Sequence, residues 1–296
     1  MSVLPFLGIA FGGAAASLLL RRWIAASAIV GLVALIAATV AAAAIQPNDG
    51  LVIAGGGISG SAFARMFLEP TPACDSSLAR FVRNTPMPAL LSIAHVRKRT
   101  VGRVCLENTH PFKRVLWGRD WIFAHNGTLP EARDKPLGEF SPVGDTDSEH
   151  AFCWLLSEVR AAFPGGYPTD RPEALWRCVA ELGGRLGAEG TCNFLLADGL
   201  HLYARCATKL HYIIRQAPFG RATMRDADVQ IDFSALTAAD DRVVVVATEP
   251  LTSDEIWTAG TPGTLWVFRG GKLEASLPSR DPEGRPEKPF VAASAT

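Results

Sequence analysis

Apolar and polar positions are spaced differently along different parts of this chain, and each spacing predicts a different element. Between residues 88 and 130 the apolar runs are short. PALLSIAHVRKRTVG predicts a buried strand from Leu90 to Val96 that ends in Arg97, and WIFAHNGTL predicts a second, Trp121–Ala124, that ends in His125-Asn126-Gly127. In VGDTDSEHAFCWLLSEVRAAF the spacing becomes helical, with Phe152, Leu155 and Leu156 on one face and Trp154 beside them. Thr146-Asp147-Ser148-Glu149 fits a capping box, so Asp147 is expected in the first helical turn, near the positive end of the helix dipole. A second helix is expected from Arg171 through Leu182. Strands follow at Asn193–Ala197 and Leu200–Arg205 around an Asp198-Gly199 turn, then at Leu210–Arg215. The β-branched run Val243–Thr248 reads as buried on both faces. Thr264–Arg269 and a short partner after Gly270-Gly271 complete an edge, and from Pro278 onward the Pro- and charge-rich chain reads as a disordered tail, residues 278–296.

The first sixty residues follow another pattern. They carry only three charged side chains, Arg21, Arg22 and Asp49, in a chain with 29 basic and 29 acidic residues. Trp23–Ile45 is uncharged throughout and long enough for a single-pass membrane helix, with Arg21 and Arg22 on its cytoplasmic side. At Leu51, LVIAGGGISGSAF has the glycine spacing of a dinucleotide fingerprint, Gly55-x-Gly57-x-x-Gly60. Such a site needs a long helix after the third glycine and an acid on a second strand about 20 residues later. Pro70 and Pro72 interrupt any helix, and Glu69 comes too early, so the glycines are read as part of a small-residue-rich segment.

Composition narrows the chemistry. A net charge of zero gives no bulk attraction to nucleic acid. The six cysteines are dispersed with no C-x-x-C pair, which argues against structural zinc or a disulfide framework and for a reducing compartment. No metal or organic cofactor is called for. Three polar places remain: an arginine at a strand end suited to a carboxylate, an aspartate suited to an ammonium group, and an Asn-Gly step whose side-chain and backbone N–H groups suit an oxyanion. Taken singly, each has an ordinary reading as a solvated charge, a dipole partner or a hairpin turn. Together they describe the two ends of a free amino acid and an acyl-transfer centre at its side chain.

The ordered motifs AHVRKRTVG, ENTHPF, FAHNG and GDTDSE resemble those of the class II glutamine amidotransferases, N-terminal-nucleophile (Ntn) hydrolase domains, and in particular the small stand-alone YafJ-like branch. The similarity extends from about Ala62 to Gly271 and takes in CNFLLADG, LHYIIRQAPFG and VVVVATEPLT. It implies an α+β fold, the four-layer αββα sandwich, for a domain spanning 61–277 with its first hairpin incomplete. It implies hydrolysis of glutamine or a γ-glutamyl amide with release of ammonia, and a separate ammonia-accepting synthase as partner. By that resemblance Arg97 grips the substrate carboxylate, Asp147 receives the α-amino group, and Asn126 and Gly127 form the oxyanion hole. Thr100 and Gly102 frame the substrate, Lys98 stands where many relatives have tryptophan, and His110 and His125 are core or loop histidines. The role of NTHPF has no derivation from the sequence.

The family's nucleophile is a cysteine at position 2 whose own α-amino group is the base. This chain begins Met-Ser-Val, so hydrolysis is expected to be impaired as written. Three explanations are open. The first sixty residues are a wrong-frame or wrong-start translation of a product opening Met-Cys, which is the favoured expectation. Otherwise the segment is a genuine anchor on a binding module that does not cleave, or Ser2 replaces the cysteine. A cytoplasmic domain goes with the first, and a single-pass protein through residues 23–45 with the second.

Overall fold

The computed structural model describes residues 49–56, 64–72, 76–85, 89–98, 103–225, 230–233, 241–281 and 283–286. The span 23–45 lies outside them; among the described residues no helix is long and apolar enough to cross a membrane.

In chain order, β1 (Asp49–Gly56), β2 (Ala64–Pro72), helix α1 (Ser77–Asn84) and β3 (Ser92–Lys98) come first, followed by β4 (Phe112–Leu116) and β5 (Arg119–Thr128). Helices α2 (Asp147–Ala162) and α3 (Pro172–Gly187) precede β6 (Thr191–Ala197), β7 (Leu202–Cys206), β8 (His211–Gln216), β9 (Arg221–Thr223) and β10 (Gln230–Asp232). The chain continues through β11 (Arg242–Ala247), β12 (Thr258–Ala259), β13 (Thr264–Arg269) and β14 (Lys272–Pro278).

A six-stranded sheet, ordered β14-β13-β7-β6-β5-β4, forms the centre. Strand alternation gives it two apolar faces. Trp121, Phe123, Phe194, Leu196, Tyr203, Leu265 and Val267 point one way and bury the apolar faces of α2 and α3. Ile122, Ala124 and Ala197 point the other way, onto Ile93 of β3 and Met66 of β2. Trp266 and Phe268 on that same face meet Tyr212 of β8 and Val244 and Val246 of β11. The second β layer therefore has two parts, β2-β1-β3 and β11-β8-β12. Helix α1 covers β2 from outside: Phe81 meets Phe67, and the Glu69 carboxylate accepts from Leu78 N–H at 3.2 Å. The layers run α, β, β, α, as expected.

Several elements differ from expectation in instructive ways. The glycine-rich stretch does not lead into a helix. Gly55 and Gly56 end β1, and the chain resumes as β2, which pairs antiparallel with it from Gly56↔Ala64 back to Gly50↔Pro72. A dinucleotide crevice requires a crossover helix at that point, so the antiparallel return excludes it. Within residues 1–60, β1 is part of the packed fold, flanked by β2 and β3. Asn126-Gly127 does not close a hairpin; β5 runs straight through it, paired as Asn126↔Asn193 and Gly127↔Cys192. The turn before β5 is instead Trp117-Gly118, with φ of 55° and 69°, the positive pair that a tight hairpin favours. Val243–Val246 are covered on two faces, Val243 and Val245 by one cluster and Val244 and Val246 by another, but the latter pair stays half-buried. Ordered chain also continues past Pro278. Ser279 is fully buried and Asp281 nearly so. The buried Arg205 guanidinium donates to Ser279 Oγ at 2.9 Å and to its carbonyl at 3.0 Å, which pulls this polar stretch into the core.

Candidate active site

Alternation along β5 assigns each residue of FAHNG a direction. His125 shares the face of Phe123 and points to the helices; Asn126 shares the face of Ala124 and points between the β layers. The His125 ring is 3% exposed. Its Nε2–H donates to the Thr191 carbonyl at 3.1 Å, which leaves Nδ1 to accept from Ser148 Oγ at 2.9 Å in the first turn of α2. The imidazole thus pins β5, β6 and the α2 N-terminus to one another. Burial disfavours the charged ring and lowers its pKa, against a smaller opposing pull from the Asp147 carboxylate. Because the folded pKa lies below the ordinary 6.5, stability is complete above that value and falls as pH drops through the folded pKa. His125→Gln, which keeps an N–H and a carbonyl, is expected to flatten this acid limb in denaturation curves between pH 7 and 5. An unchanged limb would assign it to other groups.

Two residues on, backbone geometry admits only glycine. Gly127 has φ of 148°, and a Cβ there would collide with the Thr191 carbonyl. At the other end of this corner, Thr146 caps α2, its hydroxyl accepting from Glu149 N–H at 3.1 Å. Asp147 opens the helix, half-buried. One carboxylate oxygen accepts from Leu129 N–H at 2.7 Å, just beyond β5, and the other from Ser148 N–H at 2.8 Å. Asp147 is thereby tied to the strand end that carries Asn126 and Gly127. These three predicted residues share one corner of the molecule.

The remaining predicted residues are only partly described. Arg97 lies on β3, its backbone opposite Gly50 and next to the Lys98↔Asp49 pair. Two residues before it, His95 Nε2–H donates to the His125 carbonyl at 3.1 Å and so bridges the β layers at the site. The Arg97 and Lys98 side chains lie outside the description, and Thr100, Gly102 and Ser2 lie outside the described residues.

The NTHPF segment gains a physical role. Asn108 is fully buried. Its Nδ2 donates to the Asp145 carboxylate at 2.6 Å while its Oδ1 accepts from Asp145 N–H at 2.9 Å. This two-way bond clamps the loop that delivers Asp147, and it explains Gly144, where a Cβ would meet Asn108 Oδ1. Glu149 does not reach back to the cap as a capping box would have it. Its buried carboxylate instead accepts from Val143 N–H at 3.0 Å, Gly144 N–H at 2.7 Å and the Arg114 guanidinium at 2.5 Å. The sequence offered ENTHPF and GDTDSE as separate polar motifs; nothing in their spacing shows that they hold each other.

Between the β layers, beside Asn126, lies a cavity of about 270 Å³, mostly apolar and bordered also by His95 and Asn193. Asp147 and Gly127 are not among its lining residues. Asn193 is held in place by its own bonds: Oδ1 accepts from Ala207 and Thr208 N–H, and Nδ2 donates to Thr208 Oγ1 at 2.9 Å and more weakly to the Asn126 carbonyl at 3.3 Å. Five cysteines are described, of which Cys153, Cys192 and Cys206 are buried. Burial pushes the Cys153 and Cys178 thiols up to about 11, away from the thiolate form a nucleophile needs. Among the described residues no cluster of His, Cys, Asp and Glu is placed to hold a metal ion.

The sequence profile of the family described as glutamine amidotransferases class-II matches residues 44–290. The chain belongs to that family. The match begins ahead of β1, earlier than the onset expected near Ala62, in keeping with the place of β1 inside the fold. The YafJ protein of Escherichia coli K12, itself named as a candidate glutamine amidotransferase, is 45% identical over 204 residues, covering 69% of this chain and 79% of that protein. A relative in Haemophilus influenzae Rd with a similar name is 38% identical over 215 residues, 72% of this chain and 71% of its own length. A solved structure of a predicted glutamine amidotransferase from Pseudomonas aeruginosa PA01 is 38% identical with a TM-score of 0.59, covering 78% of this chain and 97% of that one.

Proposed function

We propose that this corner binds L-glutamine or a γ-glutamyl amide and is built for attack on the side-chain amide. The observation that carries the reading is the glycine-only backbone at Gly127 beside Asn126, joined through Leu129 to a carboxylate at a helix start. Asp147 receives the α-ammonium group and Arg97 the α-carboxylate, with Thr100 and Gly102 framing the substrate. When a nucleophile adds to the amide carbon, charge moves onto the amide oxygen; Asn126 Nδ2 and the Gly127 N–H donate to it as it develops. Collapse expels ammonia, and water releases glutamate from the acyl intermediate. The ammonia would pass to an acceptor on a separate synthase, and the reduced cysteines suit a cytoplasmic setting.

One observation favours a second reading, binding without cleavage. No described cysteine lines the cavity beside Asn126, and burial holds the Cys153 and Cys178 thiols away from the thiolate form, so the attacking group is sought outside the described residues, where Ser2 is a candidate. Calorimetric titration with L-glutamine, run beside an ammonia assay, tests both readings. The protein is expected to bind glutamine. Asp147→Asn, whose Oδ1 can still accept from Leu129 N–H, should weaken binding by roughly 2–3 kcal/mol, or about 30- to 100-fold, by leaving the ammonium unpaired. Ammonia release separates enzyme from binding module, and absence of glutamine binding would refute both.

A further inference from the structure

Asn193 stands opposite Asn126 in the β5–β6 ladder and borders the same cavity, yet it is 3% exposed. Its amide can sit only one way round. Oδ1 lies against two backbone donors, Ala207 N–H at 2.9 Å and Thr208 N–H at 3.0 Å, so the NH2 group must face the other way. One of its protons goes to Thr208 Oγ1 at 2.9 Å and the other to the Asn126 carbonyl at 3.3 Å. That carbonyl belongs to the peptide whose other end is the Gly127 N–H. The peptide is trans, and a trans peptide points its C=O and N–H in opposite directions. Whatever fixes the Asn126 oxygen therefore fixes the direction of the Gly127 N–H. Gly127, at φ of 148° and without a Cβ, offers little resistance to rotation of that plane, so an outside restraint is needed. The preceding peptide is held in the same manner, with His95 Nε2–H on the His125 carbonyl.

We infer that Asn193 is a positioning residue of the oxyanion site. Its side-chain amide, locked by the β7–β8 connection at Ala207 and Thr208, sets the Asn126–Gly127 peptide plane so that the Gly127 N–H meets the substrate's amide oxygen. This role rests on the glutamine reading. A hydrogen bond on the carbonyl also polarises the peptide, which makes its N–H a stronger donor to the charge that develops on that oxygen. Asn193 acts through the backbone and has no need to touch the substrate. The restraint reaches Asn126 from a connection 14 and 15 residues beyond Asn193, so the oxyanion step is tied to the junction between the six-stranded sheet and β8.

Asn126–Gly127 is the only Asn-Gly step in the chain, so carbonyl-13C asparagine with 15N-glycine gives one NMR correlation that reports this peptide alone. In the full-length protein without ligand, Asn193→Asp keeps an acceptor for Ala207 and Thr208 but removes the donor. It should move the Asn126 carbonyl resonance upfield, as for an oxygen that has lost its donor. Thr208→Val, which leaves both backbone N–H groups on Oδ1, should not move it. A carbonyl resonance indifferent to residue 193 would overturn the inference whether or not glutamine binds. With L-glutamine added, the Gly127 proton of the unsubstituted protein should move downfield as it takes up the amide oxygen. Asn193→Asp should still bind glutamine within about threefold, through Asp147 and Arg97, and lose that downfield shift. A merely structural role would weaken binding without silencing this one proton, and a variant proton that responds as in the unsubstituted protein would also overturn the inference. Where the aspartate variant does not fold, Asn193→Ser removes the amide without burying a charge and carries the same expectations. An unsubstituted protein that binds no glutamine in calorimetry would sink the glutamine reading, and with it this role for Asn193, even where the carbonyl shift is seen.

Discussion

Gly127→Ala is expected to destabilise the protein by roughly 3 kcal/mol or more and to abolish whatever amide chemistry the site performs. Two terms add. A non-glycine residue held at φ of 148° is strained by about 1–3 kcal/mol. A Cβ would also collide with the Thr191 carbonyl, so β5 and β6 must move apart, at a further cost of roughly 1–3 kcal/mol. That movement carries away the two N–H donors and loosens the His125 bond to Thr191. At roughly 2–4 °C per kcal/mol, thermal unfolding should fall by about 6–12 °C. Gly118→Ala is the matched control. It too has positive φ, 69°, but nothing lies within 4 Å of its Cβ position, so its cost should stay near 1 kcal/mol. Equal effects of the two variants would mean that close approach at Thr191 is not what requires glycine.

Ending the chain after Pro278 is expected to be comparably damaging, although composition there suggests a dispensable tail. Arg205 has no exposure and directs Nε and Nη2 at Ser279, whose hydroxyl also donates to the Ala180 carbonyl at 2.6 Å. Without Ser279 a buried guanidinium loses two acceptors, and leaving two buried donors unsatisfied costs about 2–6 kcal/mol, at about 1–3 kcal/mol each. Helix α3 is shaped for the returning chain as well: a Cβ at Gly184 would run into the Arg280 backbone. Ser279→Ala, which removes only the hydroxyl, should cost about 1–3 kcal/mol. Thermal melts of the two variants check the ordering, and a truncated protein that melts with the full chain would show that Arg205 is satisfied otherwise.

These two sites show where sequence reading worked and where it stopped. Strand β5 and helix α2 were legible because their apolar spacing is regular and Thr146 caps in the usual way, so Asp147 could be placed before any coordinates. The corner that joins Asp147 to Asn126 and Gly127 was legible only through the order of motifs, since no periodicity reports that Leu129 N–H meets a carboxylate 18 residues away. Strand β1 was missed because, after Asp49, its Gly, Leu, Val, Ile and Ala residues show no alternation and read as small-residue-rich chain. Ser279 was missed because its burial is set by Arg205, 74 residues earlier, rather than by its own neighbours. The Asn108–Asp145 clamp was hidden for the same reason: a buried asparagine is indistinguishable from a turn asparagine until its partner is known.

The crystal structure of the protein with bound L-glutamine tests the pocket most directly. The account predicts the substrate's amide oxygen within hydrogen-bond distance of Gly127 N–H and Asn126 Nδ2, its ammonium on the Asp147 carboxylate and its carboxylate on Arg97. Glutamine seated elsewhere, or with its amide oxygen turned away from the Asn126–Gly127 step, would contradict it.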